Sequence, residues 1–430
     1  LALLSFLAVI LVGTLALYLP WSTTGAGLSL VDSLFTTTSA VCVTGLAVVD
    51  TGTALSSFGQ VVLVLLIQAG GLGMMVWSSG VLLFLGGRLG LREKAALKAT
   101  VPGLQLSDLA SLLRGTVAFT LICEGVGALL LWMCWWPRFG PTEALSQAAF
   151  HAISAFCNAG FSLWGNNLMS DVDNPAVNLV IMALITLGGF GYLLLFDLGK
   201  AYRSGRRPTL HTRLALWVSL PLVLFGAVIF FFFESSNPAT LGSLTPQGVF
   251  WASVFQSVTC RTAGFNTVSI ADCRGETLLL MMFLMLIGGC PGSTAGGIKT
   301  TTFAILMVAV GNYLKGRQEV VVWERRVPEE RVTQSLAILG VMTFLVWVGT
   351  MALCAFHPAD LSIHLFEAVS AVATVGLSAG STATYSDGPK LVLCLLMFVG
   401  RVGPLTLAIS LVSDRKAPRL QHVREDISVG

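Results

Sequence analysis

Gly45, Gly160, Gly264 and Gly376 each close a short segment of one pattern and are each followed by Leu or Phe. The intervals from 45 to 160, 160 to 264 and 264 to 376 are near-equal. A bare cation entering hydrocarbon needs oxygens in place of its water shell, and rings of backbone carbonyls supply them. Aiming successive carbonyls at one axis demands a backbone that glycine adopts without a Cβ clash. One glycine at the same place in four copies is what a fourfold carbonyl ring requires. Four helix-capping glycines are the plainer reading, but the repeated context favours the ring.

These glycines need elements to hold them. In copies one, two and four, Phe35, Phe150 and Phe366 precede the glycine by the same distance, and Ser39, Ser154 and Ser370 stand four residues after each Phe. That spacing puts the two side chains on one face of a short helix. The third copy slips: Val254 and Val258 stand at those places and Phe255 comes one residue later, with nothing in the sequence to account for it. The segments, Leu34 to Leu46, Ala149 to Phe161, Val254 to Phe265 and Leu365 to Leu377, are about a dozen residues each, too short to cross a bilayer. Each lies between two longer apolar runs and so reads as a re-entrant helix.

The flanking runs are 2 to 20 with 57 to 86, 114 to 136 with 175 to 199, 212 to 234 with 276 to 314, and 332 to 356 with 389 to 412. The expected fold is an all-α integral membrane protein: four tandem helix, re-entrant loop, helix repeats, pseudo-fourfold around one pore, with eight crossings. The repeats span 1–99, 100–208, 209–327 and 328–412, and 413–430 is a cytoplasmic tail. The run from 276 to 314 is nearly twice a crossing, and its middle, Gly288 to Thr302, is rich in Gly and contains Pro291. Pro removes a donor and Gly weakens the helix, so the sequence predicts a helix broken over 288–300.

Composition agrees with a lipid environment: 55% of residues are hydrophobic and 11% charged, which leaves no segment for a sizeable soluble core. The first run lacks the basic lead-in and cleavage site of a secretory signal and reads as a span. Because the chain begins at Leu, a short native N-terminus is expected to precede it. Basic residues cluster after alternate spans, at Arg88 to Lys98, Lys200 to Arg213, Lys315 to Arg331 and Arg415 to Arg424. The other connections hold little beyond Arg138, Arg274 and Lys390. By the positive-inside rule the clusters and both termini face the cytoplasm, and topology accounts for the basic patches without nucleic acid. Nine scattered cysteines with no CxxC pair read as packing residues rather than a disulfide or zinc framework.

The stretches Ala40 to Leu46, Asn158 to Ser162, Arg261 to Thr267 and Thr374 to Ser378, with Gly292 to Lys299, resemble the Trk/Ktr/HKT superfamily of potassium transporters over essentially the whole chain. Within it the chain is most similar to the Ktr-type membrane subunit (KtrB), because the Trk-type (TrkH), the alternative, carries an extra N-terminal helix pair for which there is no room. The resemblance implies a filter lined by Val43, Thr44 and Gly45; Asn158, Ala159 and Gly160; Thr262, Ala263 and Gly264; and Thr374, Val375 and Gly376. Only the fourth loop keeps the Thr-Val-Gly of potassium channels, so potassium is the expected permeant ion with measurable sodium passage. Gly45 is the selective type, where some plant relatives carry Ser.

The resemblance also implies a gate in the broken helix below the filter, built from Gly289, Pro291, Gly292, Ser293, Thr294, Gly296, Gly297 and Lys299 and faced by Arg401. Ser293, Thr294, Thr300 and Thr301 are candidates to hydrogen-bond in a closed arrangement; a static packing notch is the plainer reading. No cofactor is bound covalently. The implied partners are a second copy of the chain, a cytosolic nucleotide-binding ring (KtrA/TrkA-like) and membrane lipid, in a bacterial-type plasma membrane, with sodium dependence as a further property. Nucleotide acts only through that ring, since Gly188 to Gly191 lies inside an apolar span rather than after a strand.

Arg401 stands near the centre of the last span, where a charge is costly unless it faces a cavity or carbonyls. It reads either as a barrier to cations or as a structural donor to broken-helix carbonyls. Lys299 is weaker evidence than Arg401, since near the cytoplasmic half a snorkelling route is open to it. The acids near the loops, Asp32, Asp50, Glu143, Asp171, Asp173, Asp272, Asp360 and Asp387, read mostly as helix caps and turns rather than a cation-concentrating mouth. Glu124 and Glu367 need buried hydrogen-bond partners, and His151 reads as a packed polar residue. Two rivals remain: an intramembrane hydrolase using Ser293, which lacks a histidine at matching depth, and a secondary transporter of another small solute, which the same-sense repeats disfavour.

Overall fold

The structure, a computed structural model, describes residues 2–25, 27–73, 109–317 and 319–403. The expected span residues 74–86 and 404–412, the basic cluster Arg88 to Lys98 and the tail 413–430 lie outside the described residues. Thirteen principal helices carry the fold among those described: α1 (Ala2–Tyr18), α2 (Leu30–Val41), α3 (Ser57–Gly71), α4 (Leu109–Phe139), α5 (Pro141–Phe156), α6 (Pro175–Ser204), α7 (Leu210–Glu234), α8 (Pro246–Thr259), α9 (Gly275–Leu286), α10 (Thr300–Leu314), α11 (Glu329–Phe356), α12 (Leu361–Val372) and α13 (Asp387–Val402). Four of them, α4, α6, α7 and α11, are long and apolar enough to cross a membrane.

The four short helices α2, α5, α8 and α12 sit inside the bundle and start on clear signals. Ser29 and Thr245 cap α2 and α8 by accepting from Asp32 N and Gly248 N, and Pro141 and Pro246 occupy the first turns of α5 and α8, where no intrahelical donor is lost. Phe35, Phe255 and Phe366 are fully buried and Phe150 nearly so. Around this core the longer helices expose Leu121, Leu220, Leu224, Phe344 and Trp347, an apolar jacket suited to lipid.

Lipid tails give helices no hydrophobic drive to associate, so close backbone approach at small residues does more of the work. A Cβ on Gly70, Gly188 or Gly400 would stand 2.1, 1.9 or 2.0 Å from the carbonyl oxygen of Val41, Phe156 or Val372, the last residues of α2, α5 and α12. The outer helix of three repeats thus presents a glycine to the end of its short helix.

The long apolar run of the third repeat is interrupted as expected: α9 stops at Leu286 and α10 starts at Thr300. The intervening loop folds back on itself through a bridge between Ile287 and Ile298, with Gly288 N donating to Ile298 O (2.9 Å) and Thr300 N to Gly289 O (3.0 Å). An all-α fold is too simple in one place. Val321–Val322 (β1) and Arg325–Arg326 (β2) form an antiparallel hairpin, where β-branched residues meet a tight turn with positive φ at Trp323 and Glu324. Arg213 of α7 stacks over Trp323 at 4.3 Å and holds the hairpin against the helical body.

Candidate functional site

The ends of the four short helices lead into loops of matching geometry. The residue two before each glycine has a left-handed backbone, Val43 (φ 55°), Asn158 (φ 60°), Thr262 (φ 68°) and Thr374 (φ 51°). The glycines follow with φ of 97°, 70°, 79° and 91°. A β-branched residue at positive φ is an outlier, and three of the first four are β-branched. Strain of that kind persists only where the surroundings impose it, and it gathers at functional sites.

The glycines meet in cyclic order. A Cβ on Gly45 would stand 2.4 Å from Ala159 O, on Gly160 2.7 Å from Ala263 O, on Gly264 2.7 Å from Val375 O, and on Gly376 1.9 Å from Thr44 O. Each glycine faces the carbonyl before the next glycine, and the fourth returns to the first. The structure therefore brings together two of the expected residues from each loop, Thr44 and Gly45, Ala159 and Gly160, Ala263 and Gly264, and Val375 and Gly376. The hydroxyls of Thr44, Thr262 and Thr374 are buried there with no hydrogen-bond partner among the described residues. The negative ends of the short-helix dipoles point the same way. Outside the glycines lies a cavity of about 420 Å³, whose lining includes all four of them together with Asp50 and Asn266. Buried carbonyls, orphaned hydroxyls and helix C-termini form a donor set suited to a dehydrated monovalent cation.

Side-chain hydroxyls fix the loops. Ser39 and Ser370 accept from Gly45 N and Gly376 N at 3.1 Å each. Ser154 donates to Phe161 O (2.8 Å), and Thr259 donates to Phe265 O (2.6 Å). This resolves the slip in the third copy. Ala263 N bonds Thr259 O, four residues back, where Thr44, Ala159 and Val375 bond Ser39, Ser154 and Ser370, five back. The third turn closes over one residue fewer, so Phe255 and Thr259 take the places that Phe35 and Ser39 hold.

Below the glycines lies the broken-helix loop. Gly296 presses on the fourth loop, where a Cβ would stand 1.9 Å from Thr374 Oγ1. Thr294 donates through Oγ1 to Phe156 O (3.4 Å) and through N to Gly188 O (3.3 Å). Gly292 lies against Gly191, whose non-helical φ and ψ of 72° and 161° interrupt α6. Ser293 turns to Cys290 O (2.6 Å) and Thr300 to Cys290 Sγ (3.4 Å). Arg401 donates to Thr294 O and, at 2.5 Å, to Gly70 O, so its guanidinium ties this loop to α3. The Lys299 ammonium folds back to donate to Ala295 O at 2.6 Å.

Four of the eight acids near the loops serve as caps or ties. Asp50 accepts from Gly52 N, Asp32 pairs with Lys390 at 2.6 Å, Asp173 accepts from Thr245, and Asp171 lies 3.8 Å from Arg138. Burial pushes the Asp171 carboxyl above the usual range, with Arg138 opposing. Glu124 takes the Cys157 thiol at 3.7 Å. Sequence reasoning missed the glycines of the outer helices, Gly70, Gly188, Gly191 and Gly400. Their only signal was glycine inside an apolar span.

Known proteins match this arrangement over nearly its whole length. "Ktr system potassium uptake protein B" of Bacillus subtilis (strain 168) is 40% identical over 414 residues, 96% of this chain and 93% of that protein. The protein of the same name from Vibrio alginolyticus is 40% identical over 425 residues, 99% and 93% of the two chains. "Potassium/sodium uptake protein NtpJ" of Enterococcus hirae is 34% identical over 432 residues, 99% and 95%. The crystal structure of the potassium transporter TrkH from Vibrio parahaemolyticus shares the fold, with a TM-score of 0.76 at 21% identity over 95% of this chain and 83% of that one. The TrkH family profile, described as "Cation transport protein", matches residues 4–418. This chain therefore belongs to the TrkH family of cation transport proteins, whose work is transport rather than catalysis.

Proposed function

We propose that the chain takes up potassium across the cell membrane through a filter made by its four re-entrant loops. The observation that carries this reading is the cyclic order of the glycines, each one filled against by the next loop's carbonyl. In the proposed arrangement four repeats, 1–99, 100–208, 209–327 and 328–412, stand pseudo-fourfold around one axis and supply eight crossings with both termini in the cytoplasm. The carbonyls of Thr44, Ala159, Ala263 and Val375 replace an ion's water. The loop from Gly289 to Lys299 is the gate, and Arg401 holds it closed through Thr294 O. Sodium also passes or couples, a reading supported by the name of the Enterococcus hirae relative.

Relatives named as parts of a "Ktr system" support a companion subunit, for which we propose the cytosolic nucleotide-binding ring, and a homodimer of this chain. Expression with that partner in a bacterium stripped of its potassium uptake systems is expected to restore growth at low potassium. Correct membrane insertion without rescue, and without potassium flux in liposomes, would overturn the assignment.

A further inference from the structure

One helix position behind the glycines carries a different residue in each copy, and three of the four brace the chain that leaves the glycine. Glu367, the residue after Phe366 on α12, is fully buried. Its carboxyl group accepts the Ser378 hydroxyl at 2.6 Å, Ala379 N–H at 3.0 Å and the Thr382 hydroxyl at 2.6 Å, and the Thr382 and Ser378 hydroxyl oxygens lie 3.1 Å apart. His151, the residue after Phe150, meets the Ser162 hydroxyl through Nε2 at 3.0 Å and Gln147 O through Nδ1 at 2.8 Å. Gln256, after Phe255, reaches Thr267 at 3.5 Å. Thr36, after Phe35, has a buried hydroxyl with no partner among the described residues, and Ala47 stands where Ser162 and Ser378 stand in the second and fourth copies. The brace is strongest in the fourth copy and missing in the first.

We propose that Glu367 is a positioning residue that sets the ion preference of the pathway by fixing the backbone leaving Gly376. The proposal rests on the filter reading above. Selection between potassium and sodium depends on how firmly the coordinating carbonyls are held as well as on how many there are. Gly376 makes the tightest contact in the ring, and its outgoing chain, turning through Gly380 at φ 100°, is pinned by one carboxyl group at three points. Without that acceptor, three donors, two of them buried, lose their partner together.

The test is the potassium-to-sodium flux ratio of the purified protein in liposomes, for Glu367→Ala, Glu367→Gln, the double variant Ser378→Ala/Thr382→Val, and Gly376→Ala as a control on the filter itself. Glu367→Ala and the double variant are expected to lower the ratio roughly fivefold. Glu367→Gln is expected to recover more than half of that loss, because its amide oxygen still accepts Ala379 N–H and the two hydroxyls can exchange donor and acceptor roles. A merely structural role would change the amount of folded protein and total flux but leave the ratio alone. If Gly376→Ala lowers the ratio while Glu367→Ala and the double variant do not, the positioning role is refuted and the filter stands. If Gly376→Ala leaves it unchanged, the filter reading itself falls. If Glu367→Gln drops as far as Glu367→Ala while the double variant is normal, the charge acts directly and the brace is refuted. Should Glu367→Ala not fold, Glu367→Gln and the double variant, which attacks the brace from its far side, decide the matter.

Discussion

The glycines of the ring are not equivalent. Gly45, Gly160 and Gly264 leave 2.4 to 2.7 Å for an added Cβ, whereas Gly376 leaves 1.9 Å. A left-handed backbone adds about 1–2 kcal/mol for any L side chain. Gly376→Ala is therefore expected to reduce potassium flux further than Gly264→Ala, and Gly45→Ser to weaken discrimination against sodium, both measured in liposomes; an unchanged ratio in Gly45→Ser would remove that residue from the lining. Arg401 bridges the carbonyls of Thr294 and Gly70, far apart in the chain, a task suited to the guanidinium fork and not to an ammonium. Arg401→Lys is expected to release one of them and raise flux in the absence of any partner subunit several-fold, and reduced flux in folded protein would count against its holding the loop shut.

At the scale of elements, the short helices and the break in the third repeat were legible because glycine, proline and apolar run length report on backbone geometry directly. The register of the third copy was not, since the deleted residue lies in a turn whose hydrogen bonds join positions four or five apart, and a sequence pattern carries no record of which. The fate of Lys299 was equally hidden, because an acceptor at Ala295 O exists only once the loop has folded. The glycines facing Val41, Phe156 and Val372 were visible as residues but not as contacts. The revised register makes its own prediction. Phe255→Ala is expected to cost about 3–5 kcal/mol of packing, as for a large core truncation, while Val254→Ala, at a half-buried position, is well tolerated; thermal unfolding in detergent separates the two. Removing several residues within 290–298 is expected to raise basal flux, and lower flux in a folded variant would refute the gate.

For the whole molecule, segments far apart in the chain are tied together by polar contacts. Lys390 meets Asp32 at 2.6 Å, Thr245 reaches Asp173, and Leu168 N donates to Asn266 O at 3.1 Å. The Lys390 and Asp32 side chains are 12% and 20% exposed, so removing one charge leaves the other poorly hydrated. Lys390→Met alone is expected to destabilise the protein by about 1–3 kcal/mol, and Lys390→Met with Asp32→Leu by less than the sum of the single changes, a coupling that a double-mutant cycle in detergent will measure.

That same pair joins residues 358 apart in the chain, and Gly376 closes on Thr44 across nearly as great a distance. A ribosome threading this polypeptide into the bilayer must therefore deliver the last short helix before the first loop has its second neighbour. A chain made only as far as its third loop lacks Val375 and Gly376, so the cyclic contacts among the four glycines close only when the last loop arrives.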